Sequence, residues 1–303
     1  MTTGTLTPRR GANLVTHVLA LIVAGLALLY VSSVLLLWRF QEQIVFQPPS
    51  GVAASEVAAR QVRYRSEDGV ELFAFLVGEC EGDLPFVLAF HGNADLSRWF
   101  VPWAKQVARE ADVCVLIPEY RGYDGLSGVP SYAGSAQDAR AALTYVRESL
   151  HVAPERLIYY GHSLGTAIAA ELAAAAPPRS LVLQSPFSSA RAMSRRLFVP
   201  GVSIFWELIS RVHFDTNARV AALDVPVSVS HGDKDLIIPT AMGREVFAAA
   251  RRPGELLIVP GAGHNDVPEV GGRAYWTWLV RALHAGDPSS ATRVAPTGTR
   301  SAP

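Results

Sequence analysis

From Phe86 to Leu283, short continuous apolar runs alternate with helix-length segments, and few folds accept that pattern. The runs cover 86–90, 112–117, 156–160, 180–183, 225–230 and 255–259; the helical stretches cover 97–111, 134–150, 164–176, 240–251 and 271–283. A strand with one wet face alternates apolar and polar residues, whereas a strand covered on both faces can be apolar throughout. Helices that return the chain between such strands make them parallel and supply the cover. Two further runs, 61–65 and 70–77, flank Asp68-Gly69, a two-residue turn signal, and predict an antiparallel hairpin ahead of the alternation. The expected fold is α/β: a hairpin leading into a mostly parallel, eight-stranded sheet with helices on both faces.

The 303 residues divide unevenly around this domain. Residues 14–37 contain no Asp, Glu, Lys or Arg, and as a helix rising about 1.5 Å per residue they would be about 36 Å long, enough to span a bilayer with some tilt. The run exceeds the apolar core of a cleaved signal peptide and no small-x-small site closely follows it, so an uncleaved signal anchor over 14–38 is expected. Arg9 and Arg10 on one flank outweigh Arg39 on the other, which places the short segment 1–13 in the cytoplasm and the domain across the membrane. Residues 39–60, with Pro48-Pro49 and Ser50-Gly51, read as a connector in which Val45-Phe46 is a packing point. The domain then covers 61–285. A looser, apolar and aromatic stretch at about 186–222 reads as a small helical insertion, able either to cap a cleft or to pack peripherally. Residues 286–303, rich in Pro, Ser, Thr and Ala without periodicity, read as a disordered tail.

Lys plus Arg equals Asp plus Glu, 27 each, and no basic stripe with interleaved aromatics is present, which argues against a nucleic-acid partner. Arginine outnumbers lysine 25 to 2, a composition of GC-rich bacterial genomes. Cys114 lies inside an apolar run and Cys80 in a polar loop, so the two are expected to be unpaired. His91, His162, His231 and His264 sit in glycine-flanked turns without metal-ligand spacing, and no metal or cofactor is expected.

Chemistry concentrates at strand ends, where open parallel sheets bind ligands. Gly161-His162-Ser163-Leu164-Gly165 stands between the strand at 156–160 and the helix at 164–176. In a G-x-S-x-G turn the glycines let strand and helix approach, and the serine hydroxyl projects at the helix N-terminus, where free N–H groups favour negative charge. A serine-capped turn gives the same pentapeptide, so further groups decide: a base, a residue to orient it, and oxyanion donors. His231-Gly232-Asp233-Lys234-Asp235 follows the run at 225–230, and Gly261-Ala262-Gly263-His264-Asn265-Asp266 follows that at 255–259. The chain order Ser, Asp, His is that of nucleophile-elbow enzymes. The candidate catalytic residues are Ser163 as nucleophile, His264 as general base and acid, and Asp235 as the residue orienting the imidazole. Asp233 is the rival to Asp235, and Asp266 reads as a loop-capping residue. The oxyanion donors are expected to be the backbone N–H groups of Leu164 and of Asn93, in His91-Gly92-Asn93-Ala94.

These stretches, with Gln43 to Pro48, Glu119-Tyr120-Arg121-Gly122-Tyr123 and Ser185-Pro186-Phe187, resemble the α/β-hydrolase superfamily. More narrowly, the chain resembles the membrane-anchored Bem46-like branch that includes α/β-hydrolase domain-containing proteins 13 and 17. The resemblance covers nearly the whole chain except its ends. It implies an α/β-hydrolase fold, Asp235 as the triad acid, and a serine hydrolase acting on acyl esters or thioesters, with lipid-like substrates favoured by the anchor. A peptidase or amidase, or a non-catalytic membrane-bound binding protein, is the alternative on the same fold. Two positions depart from the pattern: Asp124, where glycine is usual, and Tyr132, where glutamate is common.

Overall fold

The computed structural model describes residues 9–51, 57–80 and 82–286. A long helix α1 (Arg9–Val45) precedes a hairpin of β1 (Arg60–Arg65) and β2 (Glu71–Val77). The alternation follows as β3 (Phe86–Phe90), α2 (Ser97–Ala111), β4 (Cys114–Pro118), α3 (Tyr132–Glu148), β5 (Leu157–His162), α4 (Leu164–Ala175) and β6 (Ser180–Gln184). Three helices interrupt it: α5 (Ala190–Leu197), α6 (Pro200–Ile209) and α7 (Thr216–Ala222). The chain closes with β7 (Pro226–Gly232), α8 (Thr240–Ala249), β8 (Arg252–Val259) and α9 (Val267–Leu283).

The strands form one eight-stranded sheet in the order β1-β2-β4-β3-β5-β6-β7-β8. The β1–β2 and β2–β4 pairs are antiparallel and the rest are parallel. Side chains of one strand feed two cores in alternation. Leu88 and Phe90 belong to one and Val87 and Ala89 to the other; Tyr159 and Tyr160 divide likewise. This two-sided burial is why β3 through β6 carry apolar runs without polar alternation. Each large side chain so buried contributes about 1.5–3 kcal/mol relative to exposure. The amphipathic helix α2 buries Val101, Ala104, Val107 and Ala111 at helical spacing.

Three expectations change. First, helix α1 does not end at residue 38 but runs on to Val45, because no Gly or Pro occurs between residue 38 and Pro48. The stretch after it is also no free connector: Gln41 and Phe46 are buried, and the Phe46 ring lies 6.3 Å from that of Phe214. Second, the hairpin loop has three residues, not two, the added one on its N-terminal side. Ser66 N–H donates to the Val70 carbonyl at 2.9 Å, leaving the three-residue loop 67–69 with Gly69 at φ +88°; a left-handed third residue is the usual closure at this length.

Third, Cys80 and Cys114 form a disulfide, with Cα atoms 5.0 Å apart. Sequence distance concealed the pairing. Strand β2 skips its neighbour in sequence and pairs with β4, placing Val77 opposite Val115, and the turn at Gly78 (φ +94°) folds Cys80 back onto the start of β4. The helical insertion is where it was expected, as α5, α6 and α7, and α6 packs against α1 as well as α5. The expected tail lies, from residue 287 onward, outside the described residues, as do residues 1–8.

Candidate active site

Strand β5 turns into α4 at Ser163, whose backbone sits at φ 53°, ψ −117°, a conformation that costs an L-residue energy and persists only where its surroundings enforce it. Two glycines make the turn possible. A Cβ on Gly161 would lie 2.3 Å from the Gly165 carbonyl oxygen, and one on Gly165 would lie 2.2 Å from the Phe90 carbonyl oxygen. The elbow is held to the next strand by Ser163 N–H donating to the Gln184 carbonyl at 3.0 Å. Leu164 opens α4, so its N–H lacks an acceptor within the helix and is free to serve another group.

The ends of β7 and β8 bring the other two candidates to this point. The Ser163 hydroxyl is 2.8 Å from His264 Nε2, and His264 Nδ1 is 2.7 Å from Asp235 Oδ2. With Nδ1–H donating to the carboxylate, Nε2 presents a lone pair to the hydroxyl proton. Asp235 is itself fixed: Oδ1 accepts the N–H groups of Ile237 (2.9 Å) and Ile238 (2.8 Å). Asp235 and His264 are both buried. Burial disfavours the Asp235 carboxylate, but hydrogen bonds from His231 and His264 outweigh it and hold the group far below the usual carboxylate range. The rival Asp233 instead accepts Gly261 N–H at 2.7 Å on the surface, and Asp266 accepts Gly263 N–H at 2.6 Å.

The loop after β3 runs over the serine. A Cβ on Gly92 would come within 3.5 Å of the Ser163 Cβ and 3.1 Å of His162 Nδ1. Asn93, next in that loop, is pinned through its side chain: Oδ1 accepts from Gln47 N–H and from the Tyr123 hydroxyl, each at 2.8 Å, while Nδ2 donates to the Val45 carbonyl at 2.7 Å. A cavity of about 730 Å³ opens here, lined by Ser163, His264 and Asn93 on one side and by Trp99, Phe100, Trp103 and Trp276 on the other.

Serine, imidazole and carboxylate thus form one continuous hydrogen-bonded chain at the carboxyl ends of parallel strands. A family described as serine aminopeptidase, S33, matches residues 85–213. An uncharacterized protein of Mycobacterium tuberculosis is 35% identical over 270 residues, 86% of this chain and 94% of its own length. The chain belongs to the α/β-hydrolase superfamily. Human alpha/beta hydrolase domain-containing protein 17B is 28% identical over 228 residues, 70% of this chain and 75% of that protein. An esterase of Pyrococcus furiosus shares the fold with a TM-score of 0.61 at 17% identity, over 78% of this chain and 97% of that one.

Within this α/β-hydrolase, three groups of buried residues escaped the strand-end reading. His231 Nε2 donates to the Ile238 carbonyl at 2.9 Å and lies 3.1 Å from Asp235 Oδ2, so the Asp235 carboxylate faces two imidazoles. Its position four residues before Asp235 was the available signal. His91 Nε2 meets Glu119 Oε1 at 2.9 Å, and Glu119 Oε2 accepts both the N–H and the hydroxyl of Ser97. Burial opposes a charge on His91, but the Glu119 carboxylate outweighs it and raises the imidazole's pKa. This pair ties the loop after β3 to the end of β4 and the start of α2. Gln184 accepts the hydroxyls of Tyr160 (2.9 Å) and Tyr275 (2.8 Å), tying β5 and α9 to the cavity floor.

The departures from the family pattern have local explanations. Asp124 keeps the left-handed φ (48°) that glycine would take and is bonded to Arg98. Tyr132 opens α3, packs edge-on against Phe214 at 4.9 Å and donates its backbone N–H to Glu42 Oε1 at 3.3 Å. Among the described residues, no group of three or more His, Cys, Asp or Glu could hold a metal ion.

Proposed function

We propose that this hydrolase is a membrane-anchored serine enzyme that cleaves carboxylic ester or thioester bonds through an acyl-enzyme. The observation that carries the reading is the unbroken chain from the Ser163 hydroxyl through His264 to Asp235, 2.8 and 2.7 Å long at its two links. In the forward step His264 Nε2 takes the hydroxyl proton as Ser163 Oγ bonds to the substrate carbonyl carbon. The carbonyl oxygen becomes an oxyanion received by the backbone N–H groups of Leu164 and Asn93. His264 then gives its proton to the departing alcohol or thiol, leaving the acyl group on Ser163. Water, deprotonated by the same imidazole, releases the acid. Asp235 stays ionised throughout and stabilises the imidazolium.

The aromatic wall of Trp99, Phe100, Trp103 and Trp276 suits an apolar acyl group. The apolar part of α1, Leu14–Val45, has a mean hydropathy of 2.6 over its best window and no burial there, which supports a membrane span, and the bond of Gln41 to the Arg211 N–H favours one that stays attached to the domain. The charge bias of Arg9 and Arg10 over Arg39 supports a catalytic domain outside the cytoplasm, and so does the Cys80–Cys114 disulfide, which persists in oxidising compartments.

Turnover of matched short-chain ester, acyl-thioester and peptide substrates by the full-length protein and by Ser163→Ala tests the reading. Ester or thioester hydrolysis abolished in the variant supports it. Faster peptide cleavage would redirect it to a peptidase, and activity equal in Ser163→Ala would end it.

A further inference from the structure

Helix α6 exposes Ile204 and Leu208, the latter 74% accessible, and is preceded by exposed Leu197 and Val199. Four apolar side chains on one short stretch form a surface that water does not favour. Its contacts with α1 say what covers it. Near its start, the Gly201 carbonyl accepts the Tyr30 hydroxyl at 3.4 Å. Just past its end, Arg211 donates its backbone N–H to Gln41 Oε1 at 2.5 Å, donates its guanidinium to the Trp38 carbonyl at 3.3 Å, and stacks 5.1 Å over the Trp38 ring.

The register of these contacts fixes depth. A hydrocarbon core of about 30 Å takes about 20 helical residues, and within the uncharged run 14–37 every such window includes Tyr30. Tyr30 then lies about 4–10 Å inside the core's far edge at 1.5 Å per residue. Helical side chains lean toward their N-terminus, so the hydroxyl reaches deeper still. From Tyr30 to Trp38 α1 rises about 12 Å, and from Gly201 to Arg211 α6 and its exit would rise about 15 Å. The two segments therefore run side by side and in the same direction.

We propose that α6 is seated in the bilayer, its N-terminal end at acyl-chain depth beside Tyr30 and its C-terminal end at the interface beside Trp38. The occupant of its exposed apolar face is thus the lipid of the leaflet from which α1 emerges. The helix is built for this position. Backbone donors at a helix start must be satisfied where there is no water: Pro200 has no N–H, and the N–H groups of Val202 and Ser203 both bond to the Val199 carbonyl, at 2.9 and 3.0 Å. The one acid on α6, Glu207, is paired with Arg191 at 2.6 Å and Arg195 at 2.5 Å on α5. Trp38 and Arg211 occupy the level where aromatic and cationic side chains meet headgroups. Toward the cavity, Arg196 of α5 bonds the Leu236 carbonyl at 3.4 Å, and the exposed side chains of Leu236 and Ile237 follow, the latter lining the cavity. This proposal rests on α1 being a membrane span.

The test uses the full-length protein in phosphatidylethanolamine/phosphatidylglycerol nanodiscs, spin-labelled at single added cysteines: Ile204→Cys, Leu208→Cys, Leu26→Cys on α1 and Arg140→Cys on α3, with fluorophosphonate labelling of Ser163 as the check on folding. Collisions with oxygen are expected to exceed those with a water-soluble nickel chelate at 26, 204 and 208, and to be the fewer at 140. Nickel access at 204 and 208 equal to that at 140, with 26 still in lipid, overturns the seating of α6. Labels at 204 and 208 shielded from both reagents would assign the face to a second copy and likewise overturn it. Nickel access at 26 as well would show that the membrane span itself is wrong.

Discussion

The side-chain oxygen of Asn93 accepts the backbone N–H of Gln47 at 2.8 Å, bonding the loop over Ser163 to the first residues beyond α1. The Asn93 amide also donates to the Val45 carbonyl, so the segment leaving the membrane helix positions a proposed oxyanion donor. Asn93→Ala keeps the backbone N–H but frees the loop. Loss of one oxyanion donor costs about 10²–10³ in kcat, and this variant is expected to lose up to about 10²-fold through misplacement, with KM little changed. Steady-state ester hydrolysis, with the melting temperature as a control, measures it.

His231 shares Asp235 Oδ2 with His264, at 3.1 and 2.7 Å. Removing that donor in His231→Asn weakens the stabilisation of the ionised carboxylate, so the pKa of Asp235 rises. The acid limb of the kcat/KM profile should move to higher pH. An unchanged limb with uniformly lower activity would mean that His231 serves packing alone.

His162, next to the serine, is held by burial and by the neighbouring His264 at a pKa of about 3, below its ordinary 6.5. The unfolded chain binds a proton below about pH 6.5 that the folded chain refuses until about pH 3. Its contribution to stability is therefore complete above about pH 6.5 and shrinks as the pH falls, by at most about 1.4 kcal/mol per unit. His162→Asn should flatten that slope, as read from denaturant unfolding between pH 7.5 and 5.

Phe46 is 3% exposed and packs on Phe214 within the core on one face of the sheet. Phe46→Ala is expected to cost about 3 kcal/mol. A soluble fragment beginning at residue 39 should accordingly be more stable than one beginning at 61, and thermal unfolding of the two measures the difference.

The sheet was legible because strands buried on both faces advertise themselves as unbroken apolar runs, and helix α2 because Val101, Ala104, Val107 and Ala111 repeat at its own period. Ser163, Asp235 and His264 were legible because each follows a strand end in the order this architecture imposes. The disulfide was not, since it depends on β2 pairing with β4, past β3 in sequence, and nothing local to Cys80 or Cys114 records that pairing. The reach of α1 to Val45 was hidden by its composition: Arg39, Glu42 and two glutamines end the apolar run without ending the helix. Glu119 and His231 were hidden because their partners are 28 residues away and across a turn, and a buried carboxylate looks like a surface one until the fold closes over it.

The central claim is that Ser163 carries the acyl group. Full-length protein mixed with a fluorophosphonate, digested and mapped by mass spectrometry, tests it most directly. The account predicts one adduct, on the peptide bearing Ser163, absent from Ser163→Ala and strongly slowed in His264→Ala. An adduct on another residue, or equal labelling of Ser163→Ala, would contradict it.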